Sequence, residues 1–97
     1  MKLLPVVFSN SIDHALACPI CGEDYLHQRN VTVIANQLST GMIQFVEVHD
    51  RDTTVTPIAA DSPDMVRTSF TCECGCTVPD LVMYQHKGNT FMGWDNG

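Results

Sequence analysis

Between Val66 and Cys72 the chain alternates, with Val66, Thr68, Phe70 and Cys72 on one side and Arg67, Ser69 and Thr71 on the other. A two-residue period belongs to a half-buried β-strand, and it delivers Cys72 to the inner face. The β-branched run at 31–35 predicts another strand, and 42–48 predicts its antiparallel neighbour, joined through a loop at 36–41 that Gly41 turns. Residues 3–8 read as an edge strand, because Pro5 has no N–H to give to a ladder. Residues 9–17 read as a turn or one short helix opened by Ser11 or Asp13.

A last hairpin follows from Gly88-Asn89, taken as a type II′ loop in which Gly88 supplies the positive φ. That register pairs Lys87 with Thr90, His86 with Phe91 and Met83 with Trp94. It places Leu81, Met83, Met92 and Trp94 on one surface as a core patch, with Val82, Tyr84, His86 and Phe91 on the other. The expected fold is mainly β, a small antiparallel zinc-ribbon-like domain with little helix. It forms one unit over 1–97, with an N-terminal arm at 1–17 and an acidic loop at 50–64 that holds Asp50, Asp52, Asp61 and Asp64 along with Pro57 and Pro63.

Size and charge narrow the function classes. Ninety-seven residues bury a small share of their surface, so a metal or covalent staple is welcome. A net charge of −6, with Lys2, Arg29, Arg51, Arg67 and Lys87 scattered along the chain, disfavours a phosphate-binding stripe. The opening apolar stretch is shorter than a signal-peptide core and no run approaches a membrane span, so the expectation is a cytoplasmic protein.

The five cysteines carry the strongest chemical signal. Zn²⁺ takes four tetrahedral thiolate or imidazole ligands, and Cys18-Pro-Ile-Cys21-Gly22 is a knuckle whose tight turn aims two sulfurs at one ion. The Cys72-Glu-Cys74-Gly-Cys76 run fifty residues on supplies the other half. Cys72 and Cys74 are the expected pair there, because Gly75 then follows the second ligand as Gly22 does in the first knuckle. Cys76 and His27 are the alternative fourth ligands. An all-sulfur shell argues for a closed structural zinc over a catalytic one, which keeps a water position open. Metal-free redox or buried thiols are the remaining reading.

Outside the cysteines, Tyr25, His27, His86 and Lys87 are the polar groups that a binding pocket for an anion or peptide would use, although each also reads as an ordinary structural or solvated side chain. No catalytic motif is present. Together, Cys18-Pro-Ile-Cys-Gly22, Tyr25-Leu-His27, Phe70-Thr-Cys-Glu-Cys74 and Gln85-His-Lys-Gly-Asn-Thr90 resemble small uncharacterised zinc-ribbon-like proteins encoded by bacteriophages and actinobacteria. The resemblance spans residues 18–94 and implies a zinc-binding β-rich fold in a mobile-element setting. The leading functional expectation is a zinc-stapled protein-interaction module, such as an inhibitor or modulator of a host protein. The alternatives are a nucleic-acid-binding zinc ribbon, and a small-ligand binder or enzyme built on the His/Tyr/Lys group.

Overall fold

A computed structural model of the chain describes residues 2–37, 42–49, 52–58 and 64–97, with side chains described for 2–34 and 64–97. Seven strands follow in chain order: β1 Leu3–Leu4, β2 Leu26–Gln37, β3 Met42–His49, β4 Asp52–Ile58, β5 Met65–Cys72, β6 Leu81–His86 and β7 Asn89–Asp95. They form one antiparallel sheet in the order β1-β7-β6-β5-β2-β3-β4. Among the described residues there is no helix. None is therefore long and apolar enough to cross a membrane.

The alternation at 66–72 becomes β5, and the predicted pair at 31–35 and 42–48 becomes part of β2 and β3, in register from Asn30↔His49 to Gln37↔Met42. Strand β2 starts earlier than its β-branched run, at Leu26, which pairs with Cys72. A bulge makes that extension possible: Arg29 and Asn30 lie between the pairs Gln28↔Phe70 and Val31↔Thr68, where β5 has only Ser69. The Asn30 N–H that leaves the ladder donates to Ser69 Oγ at 3.0 Å, and Arg29 Nε donates to Thr71 Oγ1 at 3.0 Å.

Three local expectations are corrected. Part of the acidic loop at 50–64 is strand, since 52–58 forms β4 against β3. Thr53, Thr54, Val55, Thr56 and Ile58 are β-branched, and Pro57 is tolerated because β4 is an edge of the sheet. Residues 50, 51 and 59–63 of that loop, and 38–41 of the β2–β3 loop, lie outside the described residues. The edge strand at 3–8 is only Leu3–Leu4, paired with Asp95 and Trp94, and it stops at Pro5. Beyond it the arm doubles back without a helix through a Phe8↔Leu16 bridge and an Ala17 N–H to Val7 carbonyl bond of 3.0 Å.

The third correction is the hairpin register. Lys87 (φ 50°) and Gly88 (φ 82°) both occupy the left-handed region, so the loop is Lys87-Gly88 in the type I′ manner, with His86↔Asn89 as its first rung and Met83 opposite Met92. This slide moves each residue's partner by two positions, one full side-chain period. Leu81, Met83, Met92 and Trp94 therefore still share a face, as expected. Their burial divides, however. Trp94 is fully buried with its ring edge-on to Phe70 at 5.7 Å, while Met83 and Met92 are 39% and 53% exposed.

Val82 and Gly93, on the opposite face, are buried because other groups close over them. A Cβ on Gly93 would meet the Leu4 carbonyl oxygen at 2.7 Å and Leu3 Cβ at 2.8 Å, so β1 lies directly against this backbone. From the other side Arg67 on β5 bonds Asp80 at 3.1 Å and Asp95 on β7 at 2.9 Å. Strands β5 and β7 are not neighbours, so the guanidinium spans β6 at the level of Val82, the residue paired with Arg67. The arginine stem is apolar and suited to that cover. The two carboxylates hold its charge against the burial that disfavours it.

Candidate metal centre

Strand pairing brings the two cysteine clusters together. Leu26↔Cys72 sets the start of β2 beside the end of β5, and Glu73 N–H donates to the Tyr25 carbonyl at 3.2 Å one step beyond. Both clusters therefore leave the sheet at one end. Residues 18–22 form a tight turn closed by Gly22 N–H to the Cys18 carbonyl at 2.9 Å and by Cys18 N–H to the Glu23 carbonyl at 2.7 Å. The second turn closes through Gly75 N–H to the Cys72 carbonyl at 3.0 Å. Gly22 (φ 79°) and Gly75 (φ 82°) both require the left-handed conformation, so the glycines play matching parts in the two turns.

Cys18, Cys21, Cys72 and Cys76 present Sγ atoms that all lie within 4.8 Å of one another. Individual separations are 3.3 Å for Cys18–Cys76, 3.5 Å for Cys21–Cys72 and 3.9 Å for Cys21–Cys76. Four sulfurs about 2.3 Å from a tetrahedral zinc stand about 3.8 Å apart, so this set fits a thiolate-bound ion with small adjustments. Cys18 and Cys72 are buried and Cys21 and Cys76 are more open, which puts the cage at the surface with its inner wall in the protein.

The remaining cysteine is placed differently. Cys74 is exposed and its sulfur lies 3.0 Å from Cys21, 3.1 Å from Cys72 and 3.0 Å from Cys76, yet it is not in the mutually close set that includes Cys18. Cys18, Cys21 and Cys72 of the expected ligand set are thus brought together with Cys76, the stated alternative, and Cys74 borders three of the four. His27, the other alternative, is turned to Glu73, with Nε2 and Oε1 3.0 Å apart and both side chains more than half exposed.

Without an ion the thiols bias one another. Cys74 is held down at about 6 by its contacts with Cys21, Cys76 and Cys72, helped by the Cys76 backbone N–H. Cys21 is pushed up to about 12, chiefly by Cys74, against the Glu23 N–H. Cys76 and Cys72 also rise, in each case mainly through Cys74. Burial pushes Cys18 up, but the N–H groups of Cys21 and Ile20 outweigh it and its thiol ends below the usual range. N–H groups aimed at sulfur stabilise its thiolate over its thiol, and the thiolate is the form that binds a metal. Zinc binding here would expel the protons these thiols carry, so uptake would strengthen as pH rises.

The other candidate polar groups do not converge. His27 pairs with Thr71 next to the cysteine turns, whereas Tyr84 pairs with Met65, six residues away along β5, and His86 and Lys87 lie beyond it. Six strand residues span about 20 Å, so Tyr25 and His27 cannot form one pocket with His86 and Lys87. The sequence did not single out a different concavity: a cleft of about 220 Å³ across β2, β5, β6 and β7, lined by Val33, Met65, Val66, Met83 and Tyr84 among others. It is smaller than the usual small-molecule site. The alternation of apolar residues in each strand was its only trace in the sequence. No protein-family model, curated protein or solved structure matches the chain.

Proposed function

We propose that this chain is a zinc-stapled interaction module, in which one structural zinc on Cys18, Cys21, Cys72 and Cys76 locks the end of a sheet whose apolar surface binds another protein. The observation that carries the zinc reading is four Sγ atoms from two distant turns within 4.8 Å of one another. An all-thiolate shell favours a closed structural site. For the binding surface the support is the row Val33, Val66, Met83 and Met92, which shares one face in register across four strands and includes two exposed methionines. Methionines adapt to varied partners, and exposed apolar rows of this kind mark contact surfaces. The adjoining cleft has the volume for a side chain of a partner protein rather than a metabolite.

The resemblance to phage and actinobacterial zinc-ribbon-like proteins makes a host or mobile-element protein the natural partner, with the chain as its inhibitor or modulator. Nucleic acid is less suited to the −6 charge. Arg67 is also engaged by Asp80 and Asp95. The test is metal analysis of the purified protein followed by capture from host lysate at physiological salt. One zinc per chain and a stoichiometric partner that Met92→Asp no longer retains would support the reading. Absence of zinc, or a partner held equally by the variant, would refute it.

A further inference from the structure

The position of Cys74 is not explained by a four-sulfur zinc site. Its sulfur is exposed and within 3.0–3.1 Å of three of the four proposed ligands, so any chemistry at Cys74 takes place in contact with the cage. We propose that Cys74 is an oxidation site for hydroperoxides, and that its capture of Cys21 as a disulfide opens the metal site. This rests on the zinc reading above and assigns a role to the sulfur that reading leaves over.

The step balances with one hydroperoxide as oxidant. The Cys74 thiolate attacks one peroxide oxygen and the O–O bond breaks; Cys74 becomes a sulfenic acid and the other oxygen leaves as hydroxide, which takes a proton to become water. The Cys21 thiolate then attacks the Cys74 sulfur, forming the S–S bond and expelling a second hydroxide, which is likewise protonated. Two sulfurs have given up one electron each and hydrogen peroxide has become two waters. An alkyl hydroperoxide would instead yield an alcohol and one water.

Cys21 is the expected partner for three reasons. Both sulfurs are exposed and 3.0 Å apart. Cys72 and Cys76 are each only two residues from Cys74, so a bridge to either closes a small ring, and departures from disulfide geometry store strain. Cys21 comes from the other turn and carries no such constraint. Once Cys21 is tied to Cys74 the ion keeps three thiolates. A structural zinc with an incomplete shell binds more weakly, so oxidation would be read out as metal release.

The test loads wild-type protein and the Cys74→Ser, Cys74→Ala and Cys76→Ser variants with zinc, adds hydrogen peroxide, and follows free zinc with a colorimetric chelator while mass spectrometry maps disulfides. Wild type should release its ion together with formation of a Cys21–Cys74 bridge, and a reductant should restore both thiols and binding. Both Cys74 variants should hold zinc with wild-type stoichiometry and release it severalfold more slowly. The proposal is overturned if they release it as fast as wild type, or if the wild-type bridge omits Cys74. It is equally overturned if they fail to bind zinc while Cys76→Ser binds it, which would make Cys74 a ligand. Wild-type protein that takes up no zinc before peroxide is added would defeat the zinc reading itself, a failure visible at an earlier stage than the others.

Discussion

The end of the sheet that carries Cys72, made by β2 and β5, and the end that carries Lys87, made by β6 and β7, belong to one antiparallel sheet, but different side chains meet at them. At the cysteine end a bulge, two left-handed glycines and a sequence of polar residues at 27–30 would make poor strand ends on their own. What sets this end apart is convergence of four thiols, three of which, Cys18, Cys21 and Cys72, take local N–H donors. Among the described residues the hairpin end has no such centre, and β6 and β7 stay together through ladder pairing, a stacked Tyr84–Phe91 pair at 5.3 Å and a Gln85–Thr90 side-chain bond. Specific side-chain chemistry can thus support irregular backbone, whereas a chain without it must rely on regular pairing and leave its methionines in water.

The largest expected effect is at the cysteine end. A structural zinc contributes on the order of 10 kcal/mol to a small domain, so on the proposed reading Cys18→Ser, which removes a buried member of the four-sulfur set, should cost most of that in the zinc-loaded protein. Thermal unfolding with and without a strong chelator measures it: wild type should lose its transition to the chelator, and Cys18→Ser should resemble chelated wild type without treatment. A variant that melts like wild type would show that both ends are held by pairing alone.

Gly93 probes the middle of the sheet, between the two ends. The Cβ of Gly93→Ala would fall 2.7 Å from the Leu4 carbonyl oxygen and 2.8 Å from Leu3 Cβ, and backbone cannot yield as a flexible side chain can. Overpacking of this kind costs about 1–3 kcal/mol. Amide exchange should show protection lost at β1 first, with the β2–β5 pairing and metal affinity retained. Loss of metal binding in this variant would mean that β1 and the cysteine end form one cooperative unit.

How much of this was legible in the sequence follows the same division. Strand β5 was readable because its period is strict, and the cysteine clusters because knuckle spacing has a chemical reason. The faces of the last hairpin were readable even though its loop was placed one residue late, since a slide of two in pairing restores every side chain to its face. The extension of β2 to Leu26 was hidden, because Gln28, Arg29 and Asn30 carry no strand signal and their pairing depends on the bulge. Strand β4 was obscured by aspartates and prolines that an edge tolerates. The choice between Cys74 and Cys76 turns on where Gly75 directs the chain, and residue spacing alone carries no information about that.

Smaller effects should come from the hairpin loop. Lys87 holds φ 50° ahead of Gly88, a conformation that asparagine adopts more readily than lysine. Lys87→Asn should therefore stabilise the chain by about 0.5 kcal/mol, a fraction of the roughly 1–2 kcal/mol that a left-handed residue with a side chain costs. Urea unfolding of zinc-loaded protein would register it as a higher midpoint with unchanged slope. No gain would indicate that the turn frays independently and that the hairpin end contributes little to the global transition.

The smallest effect expected is a pH dependence that belongs to the middle of the sheet. The Gly97 N–H and then the Arg67 guanidinium hold the Asp95 carboxyl below its usual range. A depressed folded-state pKa contributes stability that is complete above the unfolded value, near 4, and is lost as pH falls through the folded value. Asp95→Asn should therefore be slightly less stable than wild type at neutral pH, by about 0.3 kcal/mol because Asp80 still pairs with Arg67, and the gap should close in acid. Zinc would be released over part of the same range as its thiolates take up protons, so the comparison is made in metal-free protein if that remains folded, or otherwise on the amides of 93–97 by exchange at pH values where zinc is retained. A gap that widens toward acid would mean that Asp95 is charged at a cost, and the carboxylate–arginine bridge over Val82 would then have to be replaced by packing as the reason β5, β6 and β7 stay aligned.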